Sequence, residues 1–228
     1  METTRTQFER GLDQAARRLE KARNALASTK ALAEGGQTKA AFTAAFDLAY
    51  EAERLTLLTR ALPAYTGNPK AMVLSEQLVA DTVPIRLGFT REGWFAVFLP
   101  MLLPKKDKGN ADYIRLMLYP AMRRFMERMT PFCYTDCVLI FRHVYNWKRP
   151  ERSYRDHDNI EINTVADIVA LYVMKDDCAL RCSHYYCGAA GASERTEVYV
   201  VPQPAFEEWI AAEKAFPDEG VELLETRL

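Results

Sequence analysis

The chain has 228 residues, a formal net charge of −1, 49% apolar residues and 27% charged ones, which describes an ordinary globular protein of one large domain, or one domain with an appendage. Its balanced charge excludes a general pull toward nucleic acid or anionic membrane, and no apolar run is long enough to cross a bilayer. The polar N-terminus shows no secretory signal, and five cysteines, an odd number, argue against a disulfide framework and for a cytoplasmic protein.

Residues 4–34 are predicted to form a long amphipathic helix, with Phe8, Leu12, Ala15, Leu19, Ala22 and Leu26 at heptad-like spacing. Gly35-Gly36 ends it, and a second helix is predicted from Gln37 to Leu62. Two helices joined by a Gly-rich turn make an antiparallel hairpin. It carries no titratable constellation, so it is structural material or a surface for a protein partner. Residues 63–83, with Pro63, Gly67-Asn68-Pro69 and a short helix at Met72–Ala80, form the expected domain boundary.

From Pro84 the pattern changes. Strands are predicted at Pro84–Phe89 and Trp94–Leu103, followed by the basic loop Lys105-Lys106-Asp107-Lys108-Gly109-Asn110. A helix covers Tyr113–Met129, kinked or started by Pro120 and stopped by Thr130-Pro131. Cys137–Tyr145 is a strong strand, and a second basic run follows it: Lys148, Arg149, Arg152 and Arg155. Between Pro84 and Gln203 there are 17 Lys/Arg against 14 Asp/Glu, and this second run leads straight into an acidic segment, well placed to meet phosphates.

The acidic segment is Arg155-Asp156-His157-Asp158-Asn159, and Asp176-Asp177 follow after a predicted helix, Ile160–Met174. Val165, Ile168, Val169 and Tyr172 make one helical face. Asp158 and Glu161 have capping-box spacing, which starts that helix at the first acidic pair. Converging carboxylates raise one another's pKa unless a cation sits among them. Magnesium or manganese suits such oxygen ligands, and sites of this kind hydrolyse phosphodiesters. The alternative is a helix cap at Asp156 and Asp158 and a solvated turn at Asp176-Asp177. Beyond the helix, Leu180–Cys187 is predicted as a strand, Gly188–Ser193 as a turn and Thr196–Val201 as the last strand. Phe206–Ala215 is a terminal helix, and Pro217–Leu228 an acidic, mobile tail.

This order, together with Arg155-Asp156-His157-Asp158-Asn159 and the later Asp176-Asp177, resembles the RusA-like Holliday junction resolvases over residues 84–202. The whole chain also looks similar to uncharacterised proteins of bacterial mobile elements. The resemblance implies a homodimer that binds branched DNA in recombination and repair and cuts it with magnesium. Carried over by position, Asp156, Asp158 and Asp177 are the catalytic metal ligands, with Asp176 beside them. Two features depart from the family. Its helix lysine falls at Ile162 or Asn163 here, and its Pro-Pro-Ser-x-Asn-like opening is absent. Lys148, Arg149 or Lys175 would then have to supply the missing cation.

Other groupings read more plainly. Cys178-x3-Cys182-x-His184-x2-Cys187 has spacing that zinc permits, but period two along a strand makes these core cysteines. His157 reads as a surface turn residue, whereas His184 can reach the acidic site from a neighbouring strand. Tyr145, Trp147 and Tyr154 interleave with Lys148, Arg149 and Arg152, which suits either stacking on distorted DNA or sheet-edge packing.

The expected fold is therefore α+β. A helical hairpin and linker occupy 1–83. A small mixed sheet with helices packed on one face follows at 84–203, and a C-terminal helix and tail at 204–228. The leading function is a magnesium-dependent, structure-selective DNA endonuclease. Its DNA-binding residues are Lys105, Lys106, Lys108, Lys148, Arg149, Arg152 and Arg155. The alternative is a non-catalytic DNA-binding or assembly factor that keeps the fold without the lysine.

Overall fold

The computed structural model describes residues 6–106, 112–150, 154–215, 221 and 223–225. The chain divides into two compact units, Met1–Gln77 and Leu78–Leu228.

The first unit is an antiparallel hairpin of α1 (Gln7–Glu34) and α2 (Thr38–Ala61). Thr6 and Glu9 cap α1 reciprocally. The Thr6 hydroxyl accepts from the Glu9 N–H at 3.2 Å, and the Glu9 carboxylate accepts from the Thr6 N–H at 2.8 Å. Gly36, at φ 71°, makes the turn. The inner seam of α1 runs through Gly11, Ala15, Arg18, Ala22 and Ala25, and that of α2 through Ala44, Leu48, Glu51 and Leu55. Ala15 and Ala22 of the predicted stripe lie in this seam, and its leucines do not. Leu12, Leu19 and Leu26 lie outside the seam, at 45%, 60% and 55% exposure. Small residues win the interface because they let the helices close up. A Cβ on Gly11 would come within 2.6 Å of the Leu62 side chain, and Arg18 pairs with Glu51 across the seam at 2.8 Å. A third helix, α3 (Ala71–Thr82), spans the division between the units.

The second unit is α+β, a six-stranded mixed sheet in the order β4-β3-β5-β2-β1-β6. Its strands are β1 (Arg86–Thr90), β2 (Phe95–Leu99), β3 (Cys137–Asn146), β4 (Cys182–Gly191), β5 (Arg195–Pro202) and β6 (Leu223–Glu225). Among the described strands β3 and β4 alone pair in parallel, joined by α5 (Asn163–Val173), since a parallel pair needs a crossover. Helix α4 (Asp112–Met126) packs beside α5 on one face, where Ile114, Leu118, Phe125, Val165 and Val169 meet Phe95, Val97, Leu139 and Phe141.

The helices do not all share that face. Helix α6 (Phe206–Ala215) covers the opposite one, with Trp209 buried among Phe98, Ile140, Tyr199 and Val201. Periodicity gives a helix its apolar stripe but not the side of the sheet it meets. Two further boundaries differ from expectation. Strand β4 continues through Gly188–Gly191, because these small residues pair with His143–Asn146 of β3 rather than turning. In the acidic tail, Leu223–Glu225 forms β6 on the edge of β1, and the rest of Pro217–Leu228 apart from Val221 lies outside the described residues.

Strand β3 is buried on both sides, so its sequence reads as a nearly continuous apolar run. Its one fully buried cation, Arg142, lies on the α6 side. Arg142 donates to Glu197 at 3.0 Å and to Glu213 of α6 at 3.2 Å. Glu197 also accepts from Arg195 at 2.6 Å and from the Tyr199 hydroxyl at 2.8 Å. Removing one member of a buried ion pair leaves its partner uncompensated. Arg142→Leu should therefore destabilise the protein by about 3–5 kcal/mol in urea unfolding. The double substitution with Glu197→Leu should cost less than Arg142→Leu alone. Additive losses would show that the two charges are not coupled.

Candidate functional site

After β3 the chain turns back along the sheet instead of entering a helix at once. The Tyr154 ring packs 4.8 Å from that of Tyr145, and the Arg155 N–H donates to the Tyr145 hydroxyl at 3.4 Å. The Arg155 guanidinium donates to the Leu103 carbonyl. Asp156, extended at φ −68° and ψ 139°, leads into a single 3-10 turn, His157–Asn159.

The next residues are stitched to the basic loop. Ile160 pairs with Lys105 in an antiparallel bridge. Lys106 donates its N–H to the Asn159 carbonyl at 3.0 Å, and Glu161 donates to Pro104 at 2.9 Å. Ile160 and Ile162, 1% and 7% exposed, enter the core beneath this stitch. Ile160 is extended, at φ −96° and ψ 135°, and that is why α5 starts only at Asn163. The expected capping box does not form. The Glu161 carboxylate instead accepts from the Asn163 N–H at 3.1 Å. Asp156 and Asp158 are left exposed beside exposed Lys105 and Lys106.

At its other end α5 is pinned by Tyr134, which donates its N–H to Val173 and accepts from Lys175, both at 2.8 Å. Asp176 and Asp177 follow in an exposed turn, where Asp176 accepts from the Cys178 N–H at 2.7 Å.

A line of rings and thiols on the α5 side of β3 and β4 runs between the two acidic ends. It contains all three histidines of the chain. The His157 ring lies 6.1 Å from that of His143 and stacks 5.9 Å from that of Tyr186. The Tyr186 hydroxyl meets His184 Nδ1 at 3.0 Å. A hydrogen bond to Cys182 raises the pKa of His184, and the carboxylate of Asp177 adds to the effect. His157 is thus an exposed residue whose ring is nevertheless held against two others, more than a surface turn requires. His184 faces the later acidic pair.

His143 is the anomaly of this line. It is 1% exposed, and among the described residues neither ring nitrogen has a hydrogen-bond partner. Burial, and then the charges of His157 and Arg155, push its pKa down to about 4. A buried polar group without a partner needs an explanation, and this one stands beside the segment that carries Asp156 and Asp158.

The remaining basic residues are dispersed. Lys148 is exposed and caps the turn after β3, donating its N–H to Asn146 at 2.9 Å. Arg149 pairs with Glu194 and lies 5.9 Å from the Tyr145 ring. Lys108 and Arg152 lie outside the described residues. Among the described residues, no three His, Cys, Asp or Glu side chains form a group able to hold a metal ion. The acidic pairs are therefore placed at the two ends of α5 and are not brought into one cage. Sequence reasoning missed the stitch between the two segments, because backbone pairing over such a separation leaves no local signature. His143 is noticeable in the sequence as a histidine on a strong strand, but its burial beside the acidic segment is not.

The buried imidazole sets a testable pH dependence. His143 takes up its proton near pH 6.5 in the unfolded chain and near 4 in the folded one. The unfolded state therefore binds more protons between those values. Its contribution to stability is complete above pH 6.5 and falls as pH drops, by about 3 kcal/mol at pH 4. His143→Phe should flatten the dependence of urea unfolding on pH over this window. An unchanged slope would show that His143 does not titrate in this way.

Among the described residues no helix is long and apolar enough to cross a membrane. No curated protein matches the chain. Residues 3–226, both units included, match the model of a family of unknown function (DUF6100), and the chain belongs to that family.

Proposed function

We propose that the second unit is a magnesium-dependent, structure-selective endonuclease acting on branched DNA in the cytoplasm, as a homodimer. The observation that carries this reading is the stitch of Pro104–Lys106 to Asn159–Glu161, which sets two exposed lysines beside two exposed carboxylates. Lysines so placed neutralise DNA phosphates. Magnesium keeps several waters and commonly takes one or two protein carboxylates together with substrate phosphates. Asp156 and Asp158 fit that donor set without a third protein ligand. When bound, the ion would supply charge neutralisation and a more acidic water. Lys105 and Lys106 provide the cation for the phosphate that the first turn of α5 lacks, since Ile162 is buried there and Asn163 is neutral. Asp177, at the far end of α5, enters the site through the resemblance alone.

The same burial of Ile162 favours a second reading, a DNA-binding or assembly factor that does not cut.

The test is cleavage of a labelled four-way junction, with a linear duplex as control, in magnesium, manganese or neither. Paired symmetric cuts that require metal are expected, with Asp156→Asn and Asp158→Asn each lowering the rate at least about 100-fold. An equal loss in Asp177→Asn would mean that both ends of α5 serve one site. Lys106→Ala should weaken junction binding and reduce its salt dependence by about one phosphate contact. Salt-sensitive binding without cuts would establish the second reading, and neither binding nor cutting would sink both.

A further inference from the structure

We propose that Cys137 and Cys182 are a peroxide-sensitive pair, with Cys182 the attacking thiolate and Cys137 the thiol that resolves it to a disulfide. The inference does not depend on the nuclease reading. The two residues are direct partners in the parallel β3–β4 register. Adjacent strands lie about 4.8 Å apart, inside the roughly 4.4–6.8 Å between Cα atoms that a disulfide spans. Both side chains belong to the core on the α5 side of the sheet, so they project the same way from the same rung. The nine other rungs of this pairing hold no second cysteine pair, since Cys187 is opposite Arg142.

The surroundings suit a thiolate at Cys182. His184, two residues along the same edge strand, is held through Nδ1 by the Tyr186 hydroxyl and reaches the Cys182 sulfur. The Cys137 thiol and then His184 pull the Cys182 pKa below its ordinary value, while loss of the Cys137 proton is disfavoured by the same neighbour. Low-pKa thiols oxidise selectively where peroxide reaches them, and Cys182, 5% exposed, lies on the edge strand of the sheet. The thiolate attacks one peroxide oxygen, the O–O bond breaks, and the departing hydroxide takes a proton from His184 to leave as water. Cys137 then attacks the Cys182 sulfenic acid. The S–O bond breaks, and a second water leaves with the Cys137 proton. Two thiols lose two electrons to one peroxide. The product ties β4, which among the described residues pairs with β3 alone, at its first rung, the one next to the turn that carries Asp177.

The experiment is brief treatment of the reduced full-length chain with hydrogen peroxide, alkylation of free thiols, and peptide mapping. A Cys137–Cys182 cross-linked peptide should be the main product, although Cys133 and Cys178 are more exposed. Cys137→Ser should leave Cys182 as a sulfenic acid that a dimedone probe captures. His184→Ala should slow the reaction about tenfold at neutral pH and move its pH profile upward, a change that a merely structural histidine would not produce. The wild-type map stands even if a variant fails to fold. Oxidation confined to Cys133 or Cys178, or a cross-link through either, would overturn the proposal.

Discussion

Strand β3 depends on charge being satisfied in the middle of a sheet. Arg142 is wholly enclosed, and so is its partner Glu197. Their pairing is possible only while β5 keeps its antiparallel register against β3 and α6 brings Glu213 across the opposite face. A slip of one residue would turn Glu197 to the α5 side and leave a guanidinium unpaired in a dry interior. The network therefore specifies the strand order around β3 as well as supporting it, and the two cores on either side of the sheet follow from that order.

The neighbouring residue shows the opposite treatment. His143 occupies the same strand, is equally buried, and among the described residues has no hydrogen-bond partner for either nitrogen. Among the described residues, the α6 side thus holds a paired ion network and one unpartnered indole N–H, at Trp209, while an imidazole with neither nitrogen partnered lies on the α5 side. The stitched basic loop, the exposed Asp156 and Asp158, and the Cys182–His184 pair all lie on this side or at its margin.

Much of the architecture was legible because it rests on local pattern. The hairpin, the apolar run of β3 and the terminal helix at Phe206–Ala215 need only periodicity and turn residues to be recognised. What was not legible rests on pairing between distant segments. Of the predicted stripe on α1, Ala15 and Ala22 take the seam with Gly11 while Leu12, Leu19 and Leu26 do not, because the outcome depends on how closely a second helix can approach. Helix α5 starts three residues later than its cap suggests, because Lys105 claims Ile160 for a bridge. Within the site, the positions of Asp156 and Asp158 before α5 and of Asp176 and Asp177 after it followed from sequence. The partners that give them a chemical setting came from other strands.

The family match runs through both units, from residue 3 to 226, so the hairpin is part of what defines the family. Its inner seam is built from small residues and one ion pair, while its leucines face outward. Burying those leucines inside would have gained more from the hydrophobic effect, at about 25 cal/mol for each Å² of apolar surface. An arrangement that forgoes this gain keeps an apolar stripe available on α1. The described residues thus present two unlike surfaces, a polar one beside β3 and β4 and a row of exposed leucines on α1.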